Sequence, residues 1–213
     1  MYKMSILLAL SSNVDNLGVG ISYGARKITI PFASNILIAI LTSFGTLLSL
    51  LVGNYIHSIL KPQAALYLGS FAIIGGGLLI VIADTSKRLR KKINEMPSYE
   101  KKEFTEYSFL KKILIIHNNP LKADMDYSAD ISLKESFFLG SALTLNNIAN
   151  GVGAGMINLS PLVTTSFVFL FSIITMSLGT KIGDIYMYRQ LGTLSGPASG
   201  ILLICVGIFN LCA

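Results

Sequence analysis

Charge is what this chain has least of. Charged residues make up 13% of its 213 positions, where a soluble domain carries about a quarter, so they are too few to clothe a water-facing surface. Cysteine is nearly as scarce. Cys205 and Cys212 stand seven positions apart in one apolar stretch. On a single helix that is a separation of about 10 Å, which excludes a disulfide without unwinding, and both read as packing residues. The two histidines, His57 and His117, have no second histidine or cysteine beside them, which argues against an imidazole–thiolate metal centre. No phosphate loop, nucleophile–base pair or redox motif is present, so the chain is not expected to be an enzyme or to hold a resident cofactor. The net charge of +6 lies beside apolar stretches, where it sets orientation and meets anionic lipid heads, and it does not signal nucleic acid.

What remains is apolar. Hydrophobic residues make up 52% of the chain and mean hydropathy is +0.64. A membrane-spanning helix needs about twenty mainly apolar residues. Six windows qualify: roughly 4–24, 33–59, 64–84, 134–156, 162–183 and 191–212. The first has only Lys3 as a charged lead, polar residues in its middle and no clean cleavage pattern after it, so it reads as a span and not as a signal peptide. The expected architecture is all-α and polytopic. A first three-helix unit covers 1–86, a cytoplasmic loop 87–132, and a second three-helix unit 133–213. An odd number of spans per unit puts the two units in opposite senses, an inverted repeat.

Asp15 breaks the apolar rule. It sits in an otherwise uncharged stretch as Asn13-Val-Asp15-Asn16-Leu-Gly18-Val-Gly20. A charge near the bilayer centre costs at least a few kcal/mol, so such residues face a polar pocket or path. The glycines alone read as helix-packing residues, but packing needs no carboxylate. A shift of 131 positions lays Asp15-Asn16 on Asn146-Asn147 and Gly20 on Gly151. A shift of 133 instead pairs Asn13 with Asn146 and Gly18 with Gly151, so the register stays open. Leu51-Val-Gly53 further echoes Ser177-Leu-Gly179. Asp15, Asn16, Asn146, Asn147 and Asn150 are therefore candidate ligands for a divalent cation at the membrane centre. Carboxylate and amide oxygens suit a hard ion such as manganese, magnesium or calcium.

The central loop has a second acidic pattern. Counted from Asp124, oxygen-bearing side chains fall at positions 1, 3, 5, 7, 9 and 12: Asp124, Asp126, Ser128, Asp130, Ser132 and Glu135. That is the spacing of an EF-hand calcium loop, whose seventh position ligates through its backbone oxygen and whose twelfth is a glutamate. Ala129 stands where the turn glycine belongs, and Pro120 where an entering helix would run. The same residues also permit a capping box, Ser132 with Glu135, opening the fourth span. Nearby, the apolar stretch 109–116 is too short to span and is expected to lie on the membrane surface.

Two stretches resemble a known family. The opening Ala9-Leu-Ser-Ser-Asn-Val-Asp15-Asn-Leu-Gly-Val-Gly, with the turn Tyr23-Gly-Ala-Arg-Lys-Ile that follows, is similar to the sporulation membrane proteins called YtaF. So are the acidic loop 123–135 and Leu139-Gly-Ser-Ala-Leu-Thr-Leu145 after it. That family is in turn similar to the MntP manganese exporters of the LysE-like group. The resemblance implies six spans, inverted repeats, an acidic residue in each half, an association with spore formation and sporulation membrane proteins as partners. The related families carry Asp where this chain has Asn146. With one carboxylate replaced by an amide, a divalent ion meets less charge.

Two functions compete. One is an exporter or permease for a hard divalent cation in the cell membrane. The other is a non-transporting membrane component of spore formation whose acidic loop binds calcium or a partner. In either case fifteen of the seventeen basic residues fall on one side if the loop 87–122 is cytoplasmic, which places both termini outside. Cysteine labelling of intact cells checks this. Ser58→Cys is expected to react with an impermeant reagent and Ser98→Cys to be protected; the reverse pattern inverts the topology.

Overall fold

The computed structural model describes residues 2–61, 63–75 and 108–186, together with positions 78, 82, 201, 204 and 208. Six α-helices are described: α1 Tyr2–Gly24, α2 Phe32–Ile59, α3 Gln63–Gly75, α4 Phe109–Asn118, α5 Leu133–Met156 and α6 Pro161–Tyr186. A 3-10 turn, Pro120–Ala123, follows α4, and one isolated β-bridge joins Thr29 to Asp130. Among the described residues, three helices are long and apolar enough to cross a membrane: Lys3–Gly24, Phe32–Ile59 and Pro161–Ile185. At 1.5 Å per residue the 28 residues of α2 reach about 42 Å, enough for a tilted span. The 24-residue α5 has the length but carries Lys134 and Glu135 in its first turn and a run of asparagines later. Apart from those single positions, the end of the third window and the sixth window at 191–212 lie outside the described residues, as does most of the basic loop.

Helix ends follow local chemistry. Pro31 precedes α2 and Pro161 opens α6, both positions that need no amide donor. Ser132 caps α5 and receives the Glu135 amide, while the Glu135 carboxylate reaches back to the Ser132 amide, completing the capping box. After α1, Lys27 takes a left-handed conformation (φ 58°). Lys27 N–H donates to Gly24 O and Ile28 N–H to Tyr23 O. The turn after α5 is built alike, with Asn158 at φ 60°, its N–H on Gly155 O and Leu159 N–H on Ala154 O.

The helices pack as two pairs, α1 on α6 and α2 on α5, joined where α2 meets α6. Each pair closes on glycine. A Cβ at Gly24 would lie 2.0 Å from Thr180 O, and one at Gly183 2.2 Å from Ile21 O. In the other pair, a Cβ at Gly155 would lie 2.3 Å from Leu50 O and one at Gly53 2.1 Å from Val152 O. The contacts correspond position for position at a shift of 131 between α1 and α5 and 130 between α2 and α6. Of the two registers open in the sequence, these contacts follow 131. Gly53 then answers to Gly183, one turn beyond the Gly179 that the local echo suggested.

The bundle is polar inside and apolar outside. Along α2 the buried positions include Ser34, Asn35, Thr42, Ser43, Thr46 and Ser49, while Phe44, Leu48, Leu51 and Val52 are exposed. Water would reverse that arrangement, whereas a bilayer tolerates the apolar face and leaves polar bonds to join the helices. Two apolar clusters close the ends, one around Tyr23, Ile38 and Leu139, the other around Leu8, Leu50 and Ala154. α4 packs one face on α5 through Ile113 and Ile116 and leaves Leu110 and Leu114 exposed. A purely surface-lying helix would have no such protein face.

Backbone atoms cannot yield to a new methyl group as a side chain can. Gly24→Ala is therefore expected to force α1 from α6 and lower stability by about 1–3 kcal/mol. Gly75, with nothing near its Cβ position, should accept alanine without loss. Thermal unfolding of both variants in detergent micelles measures the difference.

Candidate functional site

Asp15 is partly buried on α1, and two donors hold its carboxylate. Asn16 N–H reaches Oδ1 at 2.9 Å, and Asn146 Nδ2, from α5, reaches Oδ2 at 2.7 Å. The second bond crosses between the two parts of the chain that the 131 shift superposes. Asn150 lies one turn on and donates from Nδ2 to Asn146 O at 3.1 Å; its own Oδ1 is buried without a partner. Asn147 is 2% exposed, and its Oδ1 likewise has no partner. Asn16 turns the other way. Its Nδ2 donates to Asn13 Oδ1 at 2.9 Å and to Ser172 Oγ at 3.1 Å.

Of the five membrane candidates, then, Asp15, Asn146 and Asn150 form one connected chain. Asn147 adds a free acceptor on the same helix, and Asn16 belongs to an adjoining network. Besides Asn13, which the sequence had already placed beside Asp15, that network contains residues the sequence did not single out, Thr42 and Ser172. Asn13 donates to Ala9 O and Val168 O, and Thr42 Oγ1 to Ser172 Oγ at 3.3 Å. Ser and Thr at helical spacing on α2 were the available signal, a polar stripe where a water-soluble helix would have an apolar one. A hard cation at this centre would find one carboxylate and several amide oxygens, a donor set suited to its chemistry.

The acidic loop closes over the turn between α1 and α2. Thr29 N–H donates to Ala129 O, Ile131 N–H to Thr29 O, Ser34 Oγ to Ile131 O, and Tyr23 OH to Pro120 O. Lys27 and Asp184 make an exposed ion pair nearby, a contact of small energetic weight. Carboxylate oxygens of Asp124, Asp126 and Glu135 lie within 4.8 Å of one another. Ser128 and Asp130 sit differently. The Ser128 N–H donates to Asp124 and Asp126, its hydroxyl bonds to Asp130 O, and the Asp130 carboxylate accepts from Thr29 Oγ1.

Glu135 is engaged at both oxygens, by Met125 N–H at 2.6 Å and by Ser132 N–H at 3.0 Å. Burial pushes the Asp124 carboxyl above its ordinary range, against the pull of the Ala129 N–H, and neighbouring Glu135 adds to the rise. Hydrogen bonding from Ser128 holds the exposed Asp126 below it. The two histidines bond to helix carbonyls, His57 Nδ1 to Met156 O and His117 Nδ1 to Ala142 O.

The chain is similar over nearly its whole length to a probable sporulation protein, YtaF, of Bacillus subtilis (strain 168). The two are 29% identical over 207 residues, which cover 97% of each. No protein-family model matches the chain, and no solved structure does.

Glu135 accepts bonds that join the acidic loop to α5. Glu135→Ala is expected to lower stability by about 1–3 kcal/mol by leaving those amides unpaired, and Glu135→Gln, which keeps one acceptor oxygen, by less. Ala129 has φ 61°, so Ala129→Gly should raise stability by up to about 1 kcal/mol. Unfolding midpoints of the three variants in one detergent give the order.

Proposed function

We propose that this chain is a YtaF-type protein of the cell membrane, with six spans in two inverted three-helix repeats, that passes a hard divalent cation through its centre. The observation that carries the reading is the Asp15–Asn146 contact inside an apolar-jacketed bundle. The repeat reading is supported by the matched glycine seams, the matched left-handed turns and the near-equal shifts of 131 and 130. Asp15 and Asn146 are then counterparts facing each other across a pseudo-twofold axis, and so are Thr42 and Ser172. A site on such an axis is offered equally to both sides of the membrane, which is what alternating access requires. In this reading Asp15 binds the ion, Asn146 steadies the empty carboxylate, and Asn147 and Asn150 add amide oxygens. The ion is manganese-like, and the sporulation association of the relative carries over with the family.

A second reading rests on the carboxylate cluster of Asp124, Asp126 and Glu135. There the protein transports nothing and takes part in spore formation through a loop that binds calcium or a partner protein. Because the loop is bonded to the turn between α1 and α2, an ion bound there would stiffen that end of the bundle.

Flux in proteoliposomes separates the two. The parent protein is expected to move manganese and, more slowly, magnesium. Asp15→Asn should abolish flux with the fold intact, since it removes one charge at nearly constant volume. Asn146→Asp should tighten divalent binding by about tenfold, the order a second carboxylate contributes. A parent that moves no divalent ion, with no gain from Asn146→Asp, sinks the transport reading. Calcium binding to the intact chain that Asp126→Asn abolishes would then favour the loop.

A further inference from the structure

The N-terminal end of α2 carries no side-chain cap. Pro31 precedes the helix, and the first amide with an intrahelical partner is that of Asn35, on Pro31 O. Uncapped first-turn amides bear partial positive charge and favour an anion. Beside them, the last turns of α6 complete a pocket of about 210 Å³ lined by Ile30, Phe32, Asn35, Ser177, Thr180 and Lys181. Its polar groups have capacity left. Lys181 is exposed and makes no ion pair among the described residues, whereas Lys27, at the same end of the bundle, is joined to Asp184. Ser177 Oγ accepts from Asn35 Nδ2 at 2.9 Å, which leaves its own hydrogen for a ligand. Asn35 is 3% exposed, yet its Oδ1 has no partner. A buried amide oxygen without a donor costs about 1–3 kcal/mol, so it calls for one. The pocket thus sets donors for a phosphate beside an acceptor for some other group.

We propose that this pocket binds the headgroup of a membrane phospholipid. The phosphate lies on Lys181 and Ser177 at the open start of α2, and the headgroup's terminal hydroxyl or ammonium donates to Asn35 Oδ1. A bare anion would satisfy the first half of the pocket and leave Asn35 unpaired. Size agrees with a headgroup. Pockets that enclose a whole drug-sized ligand begin at about 300 Å³, so here the acyl chains stay outside. Phe32, 70% exposed at the rim, offers them an apolar surface that a soluble phosphate ester would not use. Position agrees as well. The pocket lies at the end of the bundle that carries Arg26 and Lys27, the level at which a spanning helix meets lipid phosphates and a lysine can reach them. The proposal needs the bundle to sit in a bilayer and is independent of ion transport.

Native mass spectrometry of the full chain in detergent, with one lipid added at a time, reads the site. Phosphatidylglycerol and phosphatidylethanolamine carry a donor hydrogen beyond the phosphate, and phosphatidylcholine does not. The first two are expected to bind about fivefold tighter than the third, the factor one net hydrogen bond supplies. Lys181→Gln should weaken phosphatidylglycerol binding about tenfold, the order of one charge-assisted bond, and Lys181→Arg should retain it. Lys61→Gln, beyond the other end of α2, should change nothing. Asn35→Leu removes the acceptor and should erase the preference over phosphatidylcholine; the comparison of lipids on the parent chain stands whether or not that variant folds. Equal binding of the three lipids, or equal losses from Lys181→Gln and Lys61→Gln, overturns the proposal and leaves only a general attraction of basic residues for lipid. Displacement of phosphatidylglycerol by equimolar glycerol 3-phosphate overturns it too, assigning the pocket to a soluble phosphate ester. Selective lipid binding by a protein that carries no manganese would keep this site and reject the transport reading alone.

Discussion

A carboxylate surrounded by apolar helices has to find its donors inside the bundle, and that demand organises the rest of this structure. The Asn16 backbone N–H provides a local donor. The other is Asn146, 131 positions away on α5, so α1 and α5 must meet at that level. They meet because each is drawn tightly onto a partner, α1 onto α6 and α5 onto α2. Glycines at 20, 24, 179 and 183, and at 53, 151 and 155, make those approaches close enough to bring the centre together. A methyl group in either seam would therefore act on Asp15 without touching it.

Lipid gives such a bundle no hydrophobic drive to assemble, since tails are as apolar as leucine. The helices are held instead by backbone contact, by amide and hydroxyl bonds, and by the apolar clusters at the two ends. The polar interior is then a structural necessity as well as a candidate path. What distinguishes the two roles is satisfaction. Asn13 is engaged at both side-chain polar atoms and Asn16 at its Nδ2, and both join helices. Asn147 and Asn150 keep buried oxygens unpaired, which weakens a bundle and suits a ligand.

The three apolar helices long enough to cross a membrane, the capping box at Ser132 and Glu135 and the oddity of Asp15 were legible in the sequence because each is local. Hydropathy needs only a window, a cap only four residues, a misplaced charge only its neighbours. The register that relates the two helix pairs was not legible, because glycines and asparagines recur every two to four positions and several shifts score alike in one dimension. Three-dimensional contacts choose among them: Gly155 meets Leu50 O and Asn54 N as Gly24 meets Thr180 O and Asp184 N. Lys27 and Asn158 add a conformational match that no residue identity reveals. Thr42 and Ser172 were passed over since a lone hydroxyl in an apolar helix normally bonds its own backbone, and their meeting depends on how α2 crosses α6.

Both acidic centres share one property that bears on how either would hold an ion. In each, protein N–H groups already occupy the carboxylate: Asn16 and Asn146 at Asp15, Met125 and Ser132 at Glu135. Those bonds satisfy each carboxylate from within the protein, whereas a bare carboxylate pair at the Asp15–Asn146 distance would not persist, because two like charges so close cannot both stay ionised. A cation bound at either centre would have to displace or share those bonds, and each one displaced would subtract about 1 kcal/mol from its binding. One formal charge and competing donors make for a weak site. Weakness is a fault in a storage site and a requirement in a carrier, where an ion held too firmly is not released. In the proposed carrier the amide at Asn146 would meet that requirement, because its bond to Asp15 is one an ion could displace.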